Sequence, residues 1–148
     1  MFKKSIFEQI LLKDEFKEKP PVLIDIGASG LLHKEWKEIA KYSICICFDA
    51  DDRDFNISVN ESKLFKKLIK INRIVTADDR EKINFYLAKS PHCSSILQPD
   101  IESLKNWSFN KLFQIEKVKE LEAINLNRVL EELNLNYVDW YKSDSQGI

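Results

Sequence analysis

A short glycine-containing stretch, VLIDIGASG, carries the residues of this chain whose types and spacing are best suited to chemistry. It places Asp25 two residues before Gly27, and Gly30 three residues after it, directly behind an apolar run. The chain has only 3 glycines among 148 residues, so two in one turn indicate positions where a side chain does not fit. A glycine turn between a strand and a helix lets the backbone contact a ligand, and the helix amino terminus helps to hold an anionic group. The stretch therefore predicts a ligand-binding turn.

Further acidic residues follow later apolar runs. Asp49 ends the run ICICFD, about 20 residues after the glycine turn, which is the interval at which an acidic residue meets ribose hydroxyls in nucleotide-binding sheets. Asp51 lies close by, and Asp144 and Gly147 end the run YVDWYKSDSQG. Ligands of parallel α/β sheets bind at the carboxyl ends of the strands. These residues therefore predict one cleft for a nucleotide-like ligand.

The glycine spacing discriminates between classes of nucleotide. A dinucleotide site requires G-x-G-x-x-G, whereas here Ser29 stands where the second glycine belongs. A dinucleotide-dependent oxidoreductase is therefore disfavoured. The Asp25 carboxylate suits a ligand that carries cations, such as a sulfonium and an ammonium, in a partly dry site.

The elements that must position these residues alternate between helix and strand in the first half of the chain. Strands are predicted at VLIDIG, YSICICFDADD and INRIVTADD, and Pro20 with Pro21 ends a leading helix within residues 1–20. Ser29 and Asn60 are candidate caps for the second and third helices. The three helices are indicated by apolar stripes: Phe2, Ile6, Phe7, Ile10 and Leu11; Leu32, Trp36, Ile39 and Ala40; Leu64, Phe65, Leu68 and Ile69. This order predicts an α/β fold with a parallel sheet and crossover helices.

The second half departs from that alternation. KINFYLAK and SILQP, joined by the turn SPHCSS, predict a β-hairpin inside an insertion over residues 80–124. FQIEKVKELEAI fits a charged strand and a ragged helix equally well. A helix behind Asn125 is predicted by Leu126, Val129, Leu130 and Leu133, and YVDWYKSD is the fourth strand. The whole chain is expected to form one domain.

Composition excludes several classes of function. The formal charge of −1 offers no basic surface for nucleic acid, and no apolar run reaches the roughly 20 residues of a membrane span. Three cysteines without metal spacing indicate a reducing, cytoplasmic setting, with Cys45 and Cys47 packed in the core. His33 and His92 lack ligand spacing, so no metal site is predicted.

Taken in order, IDIGASG, CFDADD, FYLAKSPHCSSILQPD and VDWYKSDSQG resemble the successive motifs of FkbM-type class I S-adenosylmethionine-dependent methyltransferases. The resemblance implies a Rossmann-like fold and methylation of a hydroxyl on a sugar, glycan or polyketide-like small molecule, with S-adenosylmethionine as cofactor. It implies that Asp144 lies near the methyl donor as a candidate base. The cofactor-binding residues that it implies are the loop Asp25, Gly27, Ala28, Ser29 and Gly30, the ribose-contacting Asp49 with Ala50, and the adenine-edge Ala77 and Asp78.

Two features depart from the family pattern. The acid of the second strand is Asp49, where the family usually has Glu. The family pattern continues past Gly147 with a Glu and three further strands, so the chain is expected to hold the first four strands of the fold, and its carboxyl-terminal strands are expected to be missing. An exposed fourth strand prone to self-association and a lack of turnover are therefore expected. A non-catalytic nucleotide-binding remnant remains the alternative.

Overall fold

The structure of the chain is a computed structural model that describes residues 5–28, 33–53, 62–78 and 80–145. The helices are α1 (Ile6–Leu11), α2 (Asp14–Glu18), α3 (Ile101–Leu104) and α4 (Leu126–Glu132). The strands are β1 (Val22–Ile26), β2 (Ile44–Phe48), β3 (Lys67–Ile71), β4 (Ile74–Thr76), β5 (Lys82–Ala88), β6 (Ile115–Asn125) and β7 (Trp140–Ser143). Short 3-10 turns cover Lys34–Trp36, Ala40–Tyr42, Pro91–Cys93 and Asn110–Phe113.

The main sheet contains four parallel strands in the order β3-β2-β1-β7. The chain moves from β1 outward through β2 to β3 and then returns to the other side of β1 as β7. The predicted α/β class with a parallel sheet is therefore confirmed. The strand order reverses between β1 and β7, and such a reversal point is where open α/β sheets bind their ligands.

β1 is buried on both faces, as its continuous apolar run predicted. Val22, Ile24 and Ile26 face one layer, which includes Val129 of α4, whereas Leu23 faces the other layer with Trp36. Burying an aliphatic side chain of this size stabilises the fold by about 1.5–3 kcal/mol. The strand that carries the glycine turn is thus held firmly from both sides.

A second, three-stranded sheet has the order β4-β6-β5, with β5 antiparallel to β6. The β5 prediction is confirmed, but its predicted hairpin partner SILQP is wrong, because only Ser95 forms a bridge there, with Tyr86. The partner is β6, the charged segment whose sequence fitted helix and strand equally. Its alternation of half-buried and exposed side chains is that of a strand with one face against the core.

The helix predicted from Leu64, Phe65, Leu68 and Ile69 is wrong from residue 67 onward. Residues 67–71 form β3, in which Leu68 pairs with Cys45 and Ile69 with Ile46. The parallel edge of β2 supplies hydrogen-bond partners that override a local helical period. The predicted third strand INRIVTADD is correspondingly divided, and its residues 74–76 lie in the other sheet as β4.

The leading helix is also different from the prediction. It is divided into α1 and α2, and Ile6, Phe7 and Ile10 are exposed, whereas Leu11 is buried. In the second predicted stripe, Trp36 and Ala40 are buried and Ile39 is half-buried, but Trp36 and Ala40 lie on separate short 3-10 turns and not on one helix. Leu32 lies outside the described residues.

α4 is confirmed, and the Asn125 side chain accepts a hydrogen bond from the Asn127 amide at its start. The candidate caps Ser29 and Asn60 lie outside the described residues. In the described part of the chain, no helix has the length and apolar character needed to cross a membrane.

Candidate functional site

A cleft of about 330 Å³ opens where the carboxyl ends of β1, β2 and β7 meet the second sheet. Its volume lies at the lower end of the range for small-molecule sites. The lining includes the acidic residues Asp49, Asp51 and Asp144 together with apolar residues such as Ile74, Val75 and Phe85. The lining residues are Ile26, Gly27, Phe48, Asp49, Ala50, Asp51, Arg73, Ile74, Val75, Phe85, Pro91, His92, Ser94, Ser95, Ile96, Asp144 and Ser145.

Gly27 adopts a left-handed backbone conformation, with φ of 73°. A β-carbon at this position would overlap the carbonyl oxygen of Asp144, so glycine is required by the approach of β7. The amides of Gly27 and Ala28 both donate to the carbonyl of Phe48, at 2.9 and 3.0 Å. These two amides therefore join β1 to β2. Contact with the protein's own backbone is sufficient reason for a glycine at position 27, and contact of this turn with a ligand stays a prediction.

The Asp25 carboxylate is buried and forms an ion pair with Lys142, whose Nζ lies 2.8 Å from Oδ1. The two residues are register neighbours on β1 and β7. Lys142 Nζ also donates to the carbonyl of Gly27 at 3.3 Å. Asp25 alternates with Ile24 and Ile26, of which Ile26 lines the cleft, so its side chain belongs to the opposite face of the sheet.

Burial raises the pKa of Asp25 above its ordinary value, because the charged carboxylate loses its water. The hydrogen bond and the positive charge of Lys142 oppose that rise, and so does the nearby His33, whereas the negative charge of Asp144 adds to it. Lys142 thus compensates a charge that would otherwise be costly to bury.

Asp49 stands at the end of β2 and faces the cleft. Its amide donates to the Ile71 carbonyl at 3.3 Å, and its own carbonyl accepts from the Asn72 side chain at 2.7 Å. Its carboxylate Oδ1 accepts from the amide of Asp51 at 2.8 Å. The backbone of Asp49 is therefore fixed against the end of β3, and one of its oxygens is oriented by the turn that follows.

Asp51 is 5% exposed in its side chain and pairs with Arg53, whose Nη2 lies 2.6 Å from Oδ2. Burial on its own would raise the pKa of Asp51, but the hydrogen bonds and charge of Arg53, with a hydrogen bond from Ser94, outweigh it and lower the pKa. The Asp51 carboxylate thus has its hydrogen-bond partners, Arg53 and Ser94, within the protein itself.

Asp144 follows β7 and lines the cleft, with its amide donating to the carbonyl of Ile26 at 2.9 Å. Asp49 and Asp144 therefore border the same cleft from the ends of two strands that flank β1. Ala50 also lines it, and Ala28 is buried in the core beside Trp36.

The structure does not bring Asp78 to the cleft. Asp78 is exposed and forms an ion pair with Arg80, which lowers its pKa. The carbonyl of Ala77 accepts a hydrogen bond from Asn125. The residues of β4 that line the cleft are Ile74 and Val75. Ser29, Gly30 and Gly147 lie outside the described residues.

Sequence reasoning missed Lys142 and Arg53, the ion-pair partners of Asp25 and Asp51, and placed Ser94 only in the turn SPHCSS. The sequence does contain an indication of Lys142. A buried acid on β1 requires a cation, and Lys142 is the only lysine in the fourth-strand run YVDWYKSD. Arg53 and Ser94 are 41 residues apart and meet only through the tertiary fold. No periodicity or spacing signals such a contact.

The thiols of Cys45 and Cys47 lie 3.4 Å apart in the core. Their mutual hydrogen bond and burial raise the pKa of Cys45, which makes it a poor nucleophile or metal ligand. Among the described residues, no three His, Cys, Asp or Glu side chains are grouped as a metal site.

Comparisons of the chain with protein-family models, with curated proteins and with solved structures find no match in any of the three. The resemblance to FkbM-type methyltransferases therefore depends on the sequence motifs alone.

Proposed function

We propose that the chain binds S-adenosylmethionine in the cleft and that its α/β fold is of the class I methyltransferase type. The observation that carries the proposal is the position of the cleft at the reversal of strand order, between Asp49 after β2 and Asp144 after β7. Both residues stand at the strand ends that the methyltransferase resemblance implies. The strand order β3-β2-β1-β7 is compatible with that fold.

The residues of the cleft fit an adenosyl group. Asp49 presents a carboxylate, the acceptor that ribose hydroxyls require. The apolar lining residues Ile74, Val75 and Phe85 suit the flat face of a purine. Ala50 beside Asp49 leaves room for the sugar, since its side chain is a single methyl group.

The donor set disfavours a ligand held by its phosphates at the glycine turn. Dinucleotide sites hold a pyrophosphate with backbone amides at this position. Here the amides of Gly27 and Ala28 are both used by the Phe48 carbonyl. This supports an adenosyl ligand without phosphates over a dinucleotide.

S-adenosylmethionine, when bound, would supply a methyl group on a sulfonium: the acceptor's hydroxyl oxygen would form a bond to the methyl carbon as the C–S bond breaks, and the electron pair of that bond would stay on the sulfur of the departing S-adenosylhomocysteine. In the chain itself, Asp49 fixes the ribose, and we assign Asp144 to accept the proton that the hydroxyl loses. Alignment supplies most of the acceleration in such a displacement. The hydroxyl belongs to a sugar, glycan or polyketide-like acceptor, which is the class that the resemblance implies.

A binding titration tests the proposal. Isothermal calorimetry with S-adenosylmethionine, S-adenosylhomocysteine and NAD should show heat of binding for the first two ligands only. Binding of NAD with no binding of the sulfur-containing ligands would contradict it.

A second experiment separates an enzyme from a binding protein of the same specificity. Release of S-adenosylhomocysteine is followed with a panel of sugar and glycan acceptors. Acceptor-dependent release supports methyl transfer by this chain and contradicts the expected lack of turnover, whereas binding without release from any acceptor agrees with that expectation and with the non-catalytic alternative.

A further inference from the structure

We propose that Arg53 is a positioning residue for the ribose site, which closes the 91–95 turn against the end of β2 and thereby orients the Asp49 carboxylate. The inference rests on the proposed function, since it concerns the same cleft and a ribose-bearing ligand. It adds a residue that neither the motif resemblance nor the glycine spacing indicates.

Arg53 makes a bidentate contact with Asp51. Its Nε donates to Oδ1 at 2.9 Å and its Nη2 donates to Oδ2 at 2.6 Å. The planar guanidinium matches a carboxylate in this geometry, which a lysine ammonium cannot reproduce. The Arg53 amide also donates to Asp51 Oδ1, at 3.1 Å, so the main chain of residue 53 is fixed on the same carboxylate.

The same guanidinium contacts the second sheet. Nη2 donates to the carbonyl of Ala88 at 3.0 Å and to Ser94 Oγ at 3.1 Å, and Nη1 reaches Glu116 at 3.4 Å. Ser94 Oγ also accepts from the Ala88 amide at 3.1 Å. One side chain therefore connects the end of β2 with β5 and with the turn that follows it.

This connection joins two parts of the cleft lining. Asp49 and Asp51 follow β2, and Ser94 and Ser95 follow β5. The contacts of Arg53 therefore hold the 91–95 turn against the end of β2. If the guanidinium were absent, the buried Asp51 carboxylate would lose its counter-charge and the turn would lose a donor.

The effect reaches Asp49 through one hydrogen bond. The amide of Asp51 donates to Asp49 Oδ1, which is an Asx-type turn in which the side chain accepts from the main chain two residues later. Because Arg53 fixes the carboxylate of Asp51, it also fixes the backbone whose amide orients Asp49. The ribose acceptor is thus preorganised before a ligand binds.

A mutant cycle with two ligands tests this chain of contacts. Arg53→Met, Asp49→Asn and the double variant are titrated with 5′-methylthioadenosine and with its 2′,3′-dideoxy analogue. Arg53→Met should weaken binding of the ribose-containing ligand about tenfold and leave binding of the dideoxy analogue unchanged. In the Asp49→Asn background, Arg53→Met should have no further effect.

Two control variants accompany the cycle. Arg128→Met removes an arginine of a surface pair on α4, with Glu132 at 3.2 Å, and should bind both ligands as the unmodified chain does. Arg53→Lys keeps the positive charge without the planar guanidinium and should recover only part of the affinity for 5′-methylthioadenosine. Thermal melting establishes which variants are folded, and Ser94→Ala, which removes one contact of Arg53, replaces Arg53→Met if that variant does not fold.

Equal weakening for both ligands, or independent effects of Arg53→Met and Asp49→Asn, would overturn this inference and leave the proposed function intact. Absence of 5′-methylthioadenosine binding by the unmodified chain would overturn this inference, and absence of S-adenosylmethionine and S-adenosylhomocysteine binding as well would overturn the proposed function.

Discussion

The carbonyl oxygen of Asp144 approaches the α-carbon of Gly27 so closely that a β-carbon on Gly27 would overlap it. The two residues stand at the ends of β1 and β7, the strands between which the sheet reverses its order. Their contact fixes how the glycine turn and the fourth-strand end border the cleft. A substitution at Gly27 is therefore expected to destabilise the fold even when no ligand is bound.

Gly27→Ala is expected to lower the free energy of unfolding by about 2–5 kcal/mol. Left-handed strain accounts for about 1–2 kcal/mol, and displacement of β7 accounts for the rest. Asn134→Ala is the matched control, because Asn134 also has a positive φ, 54°, and should show the strain alone. Urea unfolding measures both variants, and an equal loss would show that the overlap with Asp144 is relieved without cost.

Lys142→Met is expected to destabilise the chain by about 3–5 kcal/mol, because it leaves the Asp25 carboxylate buried without a partner. Asp25→Asn in the same chain should recover part of this loss, since it removes the uncompensated charge. Lys82→Met is the control, since Lys82 pairs with Glu120 at the surface and should change stability by less than about 1 kcal/mol. A loss that Asp25→Asn does not relieve would assign Lys142 a role other than neutralising Asp25.

The pH dependence of the stability of Lys142→Met has a definite sign. The pKa of Asp25 is raised in the folded state, so the folded chain binds the proton more tightly and stability falls as pH rises from the ordinary value of 3.8 through the folded pKa. Without Lys142 the pKa should rise further and the window should widen. Unfolding of Lys142→Met should therefore become more favourable with pH over a longer range than unfolding of the unmodified chain. An unchanged pH profile would contradict this.

Asp51→Asn is expected to show the opposite dependence. The lowered pKa of Asp51 means that its stabilisation is present above 3.8 and is lost as pH falls through the folded pKa. The variant should be less stable than the unmodified chain by about 1.5–3 kcal/mol near about pH 7. The difference should shrink in acid. Urea titrations at about pH 7 and below the ordinary value of 3.8 measure the difference in stability. A difference independent of pH would show that the Asp51 charge is not the stabilising feature.

Asp49→Asn should weaken binding of S-adenosylhomocysteine by about 1.5–3 kcal/mol, or tenfold or more, with little change in stability. The amide retains an oxygen for the Asp51 N–H and loses the charge that favours ribose hydroxyls. Calorimetry gives the dissociation constant. An unchanged constant would remove Asp49 from the ribose site.

The parallel sheet could be predicted from the sequence because the strongest sequence patterns of its strands and of α4 are local. β1 and β2 are apolar runs buried on both sides, and α4 has a helical stripe behind a capping Asn125. Sequence reasoning failed at β3, whose helical spacing was overridden by pairing with β2. It also assigned β5 the wrong partner, because β6 lies beyond a connection of 26 residues, 89–114, and no local pattern encodes that distance.

The candidate site divides in the same way. Asp49 and Asp144 could be placed at one cleft because the carboxyl ends of parallel strands share an edge. The orientation of Asp25 away from that cleft follows from strand alternation, but its partner Lys142 required the register of β1 and β7. The link from Arg53 to Ser94 required the packing of the two sheets.

The edge of the main sheet yields the last prediction. In the described part of the chain, β7 pairs with β1 alone, and Tyr141 on β7 is 52% exposed. An unpaired strand edge with apolar side chains is a template for pairing with another chain. We expect the purified chain to self-associate through β7 and Tyr141→Lys to reduce that association, because a charged residue on an edge strand opposes pairing. Trp107→Lys is the control, since Trp107 is 58% exposed but lies on the second sheet's connection. Sedimentation velocity over a range of concentrations measures both variants, and a monomer at every concentration, or dissociation by Trp107→Lys instead, would contradict association through β7.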